Sequence, residues 1–333
     1  MLSKIVPLTM VLLGSGSAWA QSVISAHSGV IHYVEGQVSV DDKAVQPKFG
    51  QFPDVATGQT LATEDGRAEV LLTPGVFLRV AENSSFRMVS NQLSDTHVRI
   101  LTGSALIEVA ELLQDNAITL ETGGANVVLT KKGLYRVDTG RGEIDPSTLR
   151  VYDGEARVSA ASADADAKPA VVKRGRQVDL NLVAAGPLEA KNFDAKETDA
   201  FYRWGSRRSA YIADANLVSA KSAQTTMAYA GSGRSGWAWN PWFGMFTYLP
   251  TNGIYFSPFG SAYYSPGAFS YFFYPRFTAP AAVIGPAPGF SNPPMSLGRS
   301  GGFGGLRGSS APSMGGGGIG SGPSSMGGAR RGR

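Results

Sequence analysis

The sequence contains no cysteine. Disulfides, thiol nucleophiles, thioether-linked haem and cysteine-bound zinc are therefore excluded. Histidine is almost as scarce: His27, His32 and His97 are the only three, and their spacing fits no zinc signature. No apolar run reaches the roughly 20 residues that span a bilayer as a helix. Acidic side chains stop at Asp214, whereas basic ones continue to Arg333. The formal net charge of +4 thus joins an acidic front to a weakly basic back, which bears on solubility and association rather than on fold. Gly123-Gly124 and Gly301-Gly302 lack the lysine and the strand-to-helix context of a phosphate loop. Asp164 and Asp166 alternate without a calcium loop around them, and no G-x-S-x-G stands between a strand and a helix. No catalytic, cofactor-binding or metal-ligating residue follows from the sequence, and the expectation is a non-enzymatic protein without a cofactor.

What is present begins with an export signal over residues 1–20. Lys4 precedes an apolar run from Ile5 to Leu13, and Ala18-Trp19-Ala20 forms a small-residue cleavage site before Gln21. The expected location is the periplasm, or the secreted or cell-surface pool. The lack of a cysteine at the cleavage site excludes a lipid anchor.

Residues 21–185 read as a series of short β-strands punctuated by glycine. Val30–Val34 and Gly36–Val40 form the first two. Glu64-Asp65-Gly66 is a predicted turn, and Arg67–Leu72 alternates charged and apolar side chains as a half-buried strand does. Further strands follow at 76–80, 86–89, 97–100, 105–109, 118–122, 127–129 and 134–138. The runs Leu149–Tyr152 and Ala156–Val158 flank Asp153-Gly154, a hairpin signal. Val171–Leu180 reads as a closing pair. Charged residues on one face of several strands argue against a parallel sheet covered by helices. The pattern is all-β and leaves a sandwich, a barrel or a β-solenoid open.

Six segments in order then resemble one family. They are GQVSV at 36–40, DVATGQTLATEDGRAEVLLTPGVFLRVAENSSFRM at 54–88, RILTGSALIEV at 99–109, TKKGLYRVDT at 130–139, LRVYDGEARVSA at 149–160 and KRGRQVDL at 173–180. Together they resemble the FecR domain across about residues 30–182. The resemblance implies a twisted β-solenoid-like domain, with a β-sandwich as the alternative, and a periplasmic, non-enzymatic role. Signalling members of that family carry a cytoplasmic anti-sigma region and a membrane helix before this domain. Here a signal peptide stands in their place, so no direct contact with a sigma factor is expected.

Residues 186–230 are expected to be helical, capping the exposed end of the β domain or binding a partner, with Gly205 as a break or bend. Asp194, Glu197 and Asp199 precede Arg203, Arg207 and Arg208, an order that suits the helix dipole. Residues 231–280 are dense in aromatics and interrupted by Gly and Pro, a layout that resembles the W/Y–Pro–Gly repeats following FecR domains in some exported proteins. Three readings stand for this segment: an aromatic core or extra strands packed on the β domain, an adhesive surface, or partial disorder. The candidate interaction surface is Trp237, Trp239, Trp242, Phe243, Tyr248, Tyr255, Phe256, Tyr263 and Tyr264. Residues 281–333 are a Gly/Ser/Pro/Arg-rich tail, expected to be disordered because such composition cannot repay the entropy of ordering. The expected partner is an envelope protein or a polysaccharide, with peripheral membrane or cell-wall contact open and no transmembrane segment. Nucleic acid is not expected, because the rings lack a basic groove beside them. The alternatives are a polysaccharide-active or carbohydrate-binding cell-surface protein, and a structural matrix or adhesion component.

Overall fold

The computed structural model describes residues 27–46, 48–140, 145–162, 168–182, 188–225 and 235–273. The export signal of residues 1–20 and the tail of 281–333 lie outside the described residues. The first strands are β1 (Val30–Val40), β2 (Lys43–Ala44), β3 (Thr60–Leu71), β4 (Val76–Val80), β5 (Ser85–Gln92), β6 (Asp95–Thr102) and β7 (Ser104–Val109). They are followed by β8 (Ala117–Thr122), β9 (Ala125–Leu129), β10 (Gly133–Asp138), β11 (Thr148–Asp153), β12 (Glu155–Ala160), β13 (Ala170–Lys173), β14 (Arg176–Asp179) and β15 (Lys191–Asn192). All belong to one sheet, ordered β13-β12-β9-β8-β6-β5-β3-β4-β7-β10-β11-β14-β15, with β1 along β3 and β2 beyond it. Every pairing is antiparallel except β6 with β8.

The strand order shows how the chain winds. β5, β6, β8, β9, β12 and β13 lie on one side of β3 in the sheet; β4, β7, β10, β11, β14 and β15 lie on the other. The chain visits these halves alternately, adding strands to the free end of each. Inward side chains from both halves, including Val98, Ile118, Val127 and Val158 from one and Leu78, Ile107, Val137 and Val151 from the other, form a single core. The fold is therefore all-β and winds like a solenoid around a core shared by two halves of one sheet.

Three turn expectations change accordingly. Glu64-Asp65-Gly66 is not a turn: β3 runs through it, pairing β5 at Thr60–Ala62 and β4 at Ala68–Leu71. Gly66 faces Gly36 of β1, so the expected pair of strands at 30–34 and 36–40 is one strand bent at that glycine pair. Asp153-Gly154 does not join a hairpin, because β11 pairs β10 and β14 while β12 pairs β9 and β13. Nor do β13 and β14 pair with each other as a closing pair. Each of these sites is a corner where the chain crosses between halves. At the 153–154 corner the Tyr135 hydroxyl donates to Lys131 O at 2.5 Å and accepts from Glu155 N at 3.0 Å. Gly154 has φ +95°, and a side chain there would run into that hydroxyl and the Lys132 carbonyl. Local sequence cannot tell such a corner from a hairpin, because the same Asp-Gly chemistry serves both.

Helix α1 (Ala200–Thr225) follows. It is shorter than the expected 186–230: β15 occupies 191–192, and Asp199 caps the helix by accepting from Tyr202 N at 2.8 Å. Residues 226–230 lie outside the described residues. The helix does not cap the end of the β domain; it lies on the outer face of β4 and β7. Phe201, Trp204, Arg208, Ile212, Asn216 and Ala220 all lie on its buried face, three or four residues apart as a helix requires. Gly205 neither breaks nor bends it. A Cβ there would meet Leu106 Cδ2 at 2.9 Å, so the glycine lets helix and sheet approach closely. Among the described residues no helix is long and apolar enough to cross a membrane.

The aromatic segment forms two hairpins, β16 (Gly236–Asn240) with β17 (Met245–Leu249) and β18 (Ile254–Phe256) with β19 (Ala262–Tyr264), then α2 (Pro266–Phe273). Over its described residues it packs on the sheet, the first of the three readings. Leu71 and Phe77 of the sheet, Ile212 of α1, and Trp237, Tyr248 and Tyr263 of the hairpins share one apolar cluster.

Two outcomes follow. Gly154→Ala should destabilise the protein by about 1–3 kcal/mol through backbone strain, measured as a drop in the urea midpoint at unchanged slope. In the chain beginning at Gln21, Trp204, Trp237, Trp239 and Trp242 all lie beyond the sheet. Because helix, hairpins and sheet share a core, tryptophan fluorescence and far-UV circular dichroism should report one coincident unfolding transition; two separated transitions would show independent units.

Candidate functional site

The outer face of the sheet carries charge, and that charge is buried. Outward positions alternate with core positions along each strand, which places Glu69 on β3, Arg79 on β4 and Glu108 on β7 on the same face. Glu69 and Arg79 are directly paired across the ladder; Glu108 lies diagonally, opposite Phe77. The side chains of Glu69, Arg79 and Glu108 are all fully buried. Arg79 Nε donates to Glu69 Oε2 at 2.8 Å, and its Nη1 donates to Glu108 Oε2 at 2.7 Å.

Helix α1 completes the network. Arg208 Nη2 donates to Glu69 Oε1 at 2.9 Å, and its guanidinium lies 4.0 Å from the centre of the Tyr33 ring. Ser209 Oγ donates to Glu108 Oε1 at 2.9 Å and lies 2.8 Å from Ser257 Oγ. His32 adds a neutral member. Phe246 N donates to its Nε2 at 3.1 Å, so the proton resides on Nδ1 and is donated to Glu69 Oε1 at 2.9 Å. Two carboxylates thus face two guanidiniums, and the formal charge cancels. This balance is what allows the group to be buried at all.

The protonation states fit this arrangement. Burial pushes the His32 pKa below its ordinary value of 6.5, against the pull of Glu69. Burial alone would raise Glu69, but Arg208, Arg79 and the His32 hydrogen bond outweigh it and hold the carboxyl well below its ordinary 4.5. Burial would lower Arg79, but Glu108 and Glu69 raise it above its ordinary value. Each carboxylate accepts from a guanidinium, and Arg208 carries the network from the sheet to the helix.

The surface offers a different feature. The β16–β17 turn carries Trp242, which is 84% exposed, and Phe49, 82% exposed, lies against Gly244 of the same turn. The turn is held from beneath. Asn240 is buried, its Nδ2 donates to Ala215 O at 2.8 Å, and its Oδ1 accepts from Trp242 N at 3.0 Å and Phe243 N at 3.2 Å. Phe49 packs edge-on to Trp239, and Trp239 packs on Phe52. Phe52 is one wall of an open groove of about 610 Å³ whose lining includes Lys43, Gln46, Lys48, Gln51 and Gln59.

The nine aromatics expected to form a surface are divided by the structure. Trp237, Tyr248 and Tyr263 are buried, which corrects their assignment as surface: they pack around Phe77 of the sheet, Trp237 at 5.2 Å edge-on and Tyr263 at 6.2 Å stacked. Trp239, Phe243, Tyr255 and Tyr264 are partly buried against the same clusters. Trp242 and Phe256 remain exposed. Sequence reading missed Phe49, which stands in a loop between Lys48 and Gly50. It also missed the buried network. The available signal was the company the charges keep: Leu71, Phe77 and Leu106 share their face, and a face mixing large apolar residues with charge requires a cover.

The winding sheet with its helical and aromatic cover defines an all-β module of the kind the six segments resemble. Residues 59–157 match the family model described as FecR protein, and the chain therefore carries a FecR domain. Glu69, Arg79 and Glu108 fall inside that match; His32, Arg208 and the aromatic hairpins fall outside it. Two crystal structures of a proposed anti-sigma factor from Parabacteroides distasonis, at 1.65 and 2.50 Å resolution, are similar at 15% and 16% identity, each with a TM-score of 0.33. The similarity covers 41% of this chain and 61% of each of those chains. No curated protein matches the sequence.

Arg79→Met should cost about 3–5 kcal/mol, because it strands two buried carboxylates, and should lower the urea midpoint accordingly. Acid should also destabilise the fold. Folded His32 stays neutral at a pH where the unfolded chain binds a proton, so stability is lost as pH falls below about 6.5. Glu69 adds a further loss below about 4.5. His32→Gln should remove the first component and keep the second, read from unfolding midpoints between pH 7.5 and 4.

Proposed function

We propose that this protein is a non-enzymatic, exported binding module of the bacterial envelope, in which a FecR domain supports an aromatic docking surface. The observation that carries this reading is the pair of exposed rings, Trp242 and Phe49, on a turn fixed by buried Asn240. Exposed aromatic side chains lose solvation benefit unless something covers them, and rigid rings lose little entropy on binding. A turn anchored to a helix by buried hydrogen bonds holds them ready for a partner.

The FecR match relates the module to regulatory proteins of the anti-sigma class, and a role in relaying an envelope signal through another protein is consistent with it. Export rests on the leader at 1–20 and its cleavage before Gln21. In that arrangement the described module meets envelope components rather than a cytoplasmic sigma factor.

The expression host should yield a chain whose N-terminus is Gln21, recovered outside the cytoplasm. A chain retaining Met1, recovered in the cytoplasm, would refute export. The purified chain should bind washed envelopes saturably, and Trp242→Ala combined with Phe49→Ala should abolish that binding without shifting the unfolding midpoint.

A further inference from the structure

We infer that the aromatic turn and the adjacent groove form a binding site for an uncharged polysaccharide chain. This deepens the envelope-binding reading and rests on it. The two parts of the site are continuous. Phe49 lies between Lys48 and Gln51, whose backbones bridge at 3.0 Å, and both of those residues line the groove. On its other side Phe49 meets the turn that carries Trp242. A ligand seated on the rings thus extends directly into the groove.

The chemistry of the lining selects the occupant. Gln46 and Gln51 are exposed side-chain amides, each able to donate and accept hydrogen bonds. That dual capacity matches sugar hydroxyls, which also do both. The apolar C–H faces of a pyranose ring suit the flat, exposed faces of Trp242 and Phe49. Charge at the groove nearly cancels: Lys43 and Lys48 stand against Asp54 in the lining, and Asp41 and Asp42 lie at the adjoining β1–β2 turn. Asp54 in turn lies 3.3 Å from His27 Nε2. Such balance gives no advantage to a polyanion or to an anionic lipid surface. The concavity also disfavours a membrane, which needs a protruding apolar face. A volume of about 610 Å³ lies in the range of sites that hold small ligands, and its openness lets a chain pass through.

The test is affinity electrophoresis of the full-length exported chain in native gels containing laminarin, dextran, glucomannan or alginate, with co-sedimentation on phosphatidylglycerol vesicles in parallel. Retardation is expected in at least one of the three uncharged polysaccharides, weakened about tenfold or more by Trp242→Ala and by Phe49→Ala, as for a central aromatic contact. Gln51→Ala should weaken it without abolishing it. Because these side chains are exposed, the variants should unfold at the parental urea midpoint. No retardation in any uncharged polysaccharide, or retardation that both aromatic variants retain, overturns the inference. Retardation by alginate alone, or vesicle binding that depends on Trp242, also overturns it while leaving the envelope-binding reading intact. Loss of saturable binding to washed envelopes would instead remove that broader reading.

Discussion

Four buried charges, Glu69, Arg79, Glu108 and Arg208, tie the two parts of this protein together. Three come from neighbouring strands of the sheet and one from the helix that covers them. In water such groups would stay apart, because desolvating each costs several kcal/mol. Here each carboxylate meets a guanidinium, and His32 and Ser209 occupy remaining acceptor positions. The arrangement works only with the helix in place. Removing the helix would leave Glu69 without Arg208 and Glu108 without Ser209, and would uncover Leu106, on which Gly205 packs. The network specifies where the helix sits more than it adds net stability, since a well-packed apolar face would be at least as stable.

From that constraint the rest of the architecture follows. The helix presents small residues, Gly205, Ser209 and Ala220, to its neighbours, so it lies close to what it covers. Its far end receives Asn240 from the first hairpin, which bonds to Ala215 O and Ser219 Oγ. Asn216 reaches both hairpins, donating to Tyr248 O of the first and Tyr264 O of the second, and accepting from Tyr264 N. Helix α1 is therefore bonded to the sheet on one side and to both hairpins on the other. The aromatic segment gains a defined shape from this, and its most exposed rings gain a defined direction.

Much of the strand content was legible in the sequence. Period-two alternation in Arg67–Leu72 and Val76–Val80 located β3 and β4, and glycines marked the places where the chain changes direction. What those glycines do was not legible. Asp153-Gly154 carries the chemistry of a hairpin, yet its flanking strands pair elsewhere, because the choice between a hairpin and a corner depends on partners distant in sequence. The helix was visible as composition but not as extent: its buried face mixes Phe201, Trp204 and Ile212 with Ala, Ser, Gly and Asn, so apolar periodicity is faint over much of its length.

Sequence by itself determined that the chain lacks cysteine chemistry, that its front half is a run of short alternating strands, and that its aromatics crowd into a segment free of acids. These are properties of composition and of local period, and they need no knowledge of partners. Only the tertiary structure decided which aromatics are core and which are surface. Trp237 and Trp242 are five residues apart in near-identical company, yet one packs on Phe77 and the other stands in solvent. The difference is made by where a strand and a turn fall on the sheet. The same applies to Glu69 and Arg79. As sequence they are the solvent side of two half-buried strands; under the helix they become the buried charge that fixes how the protein is assembled.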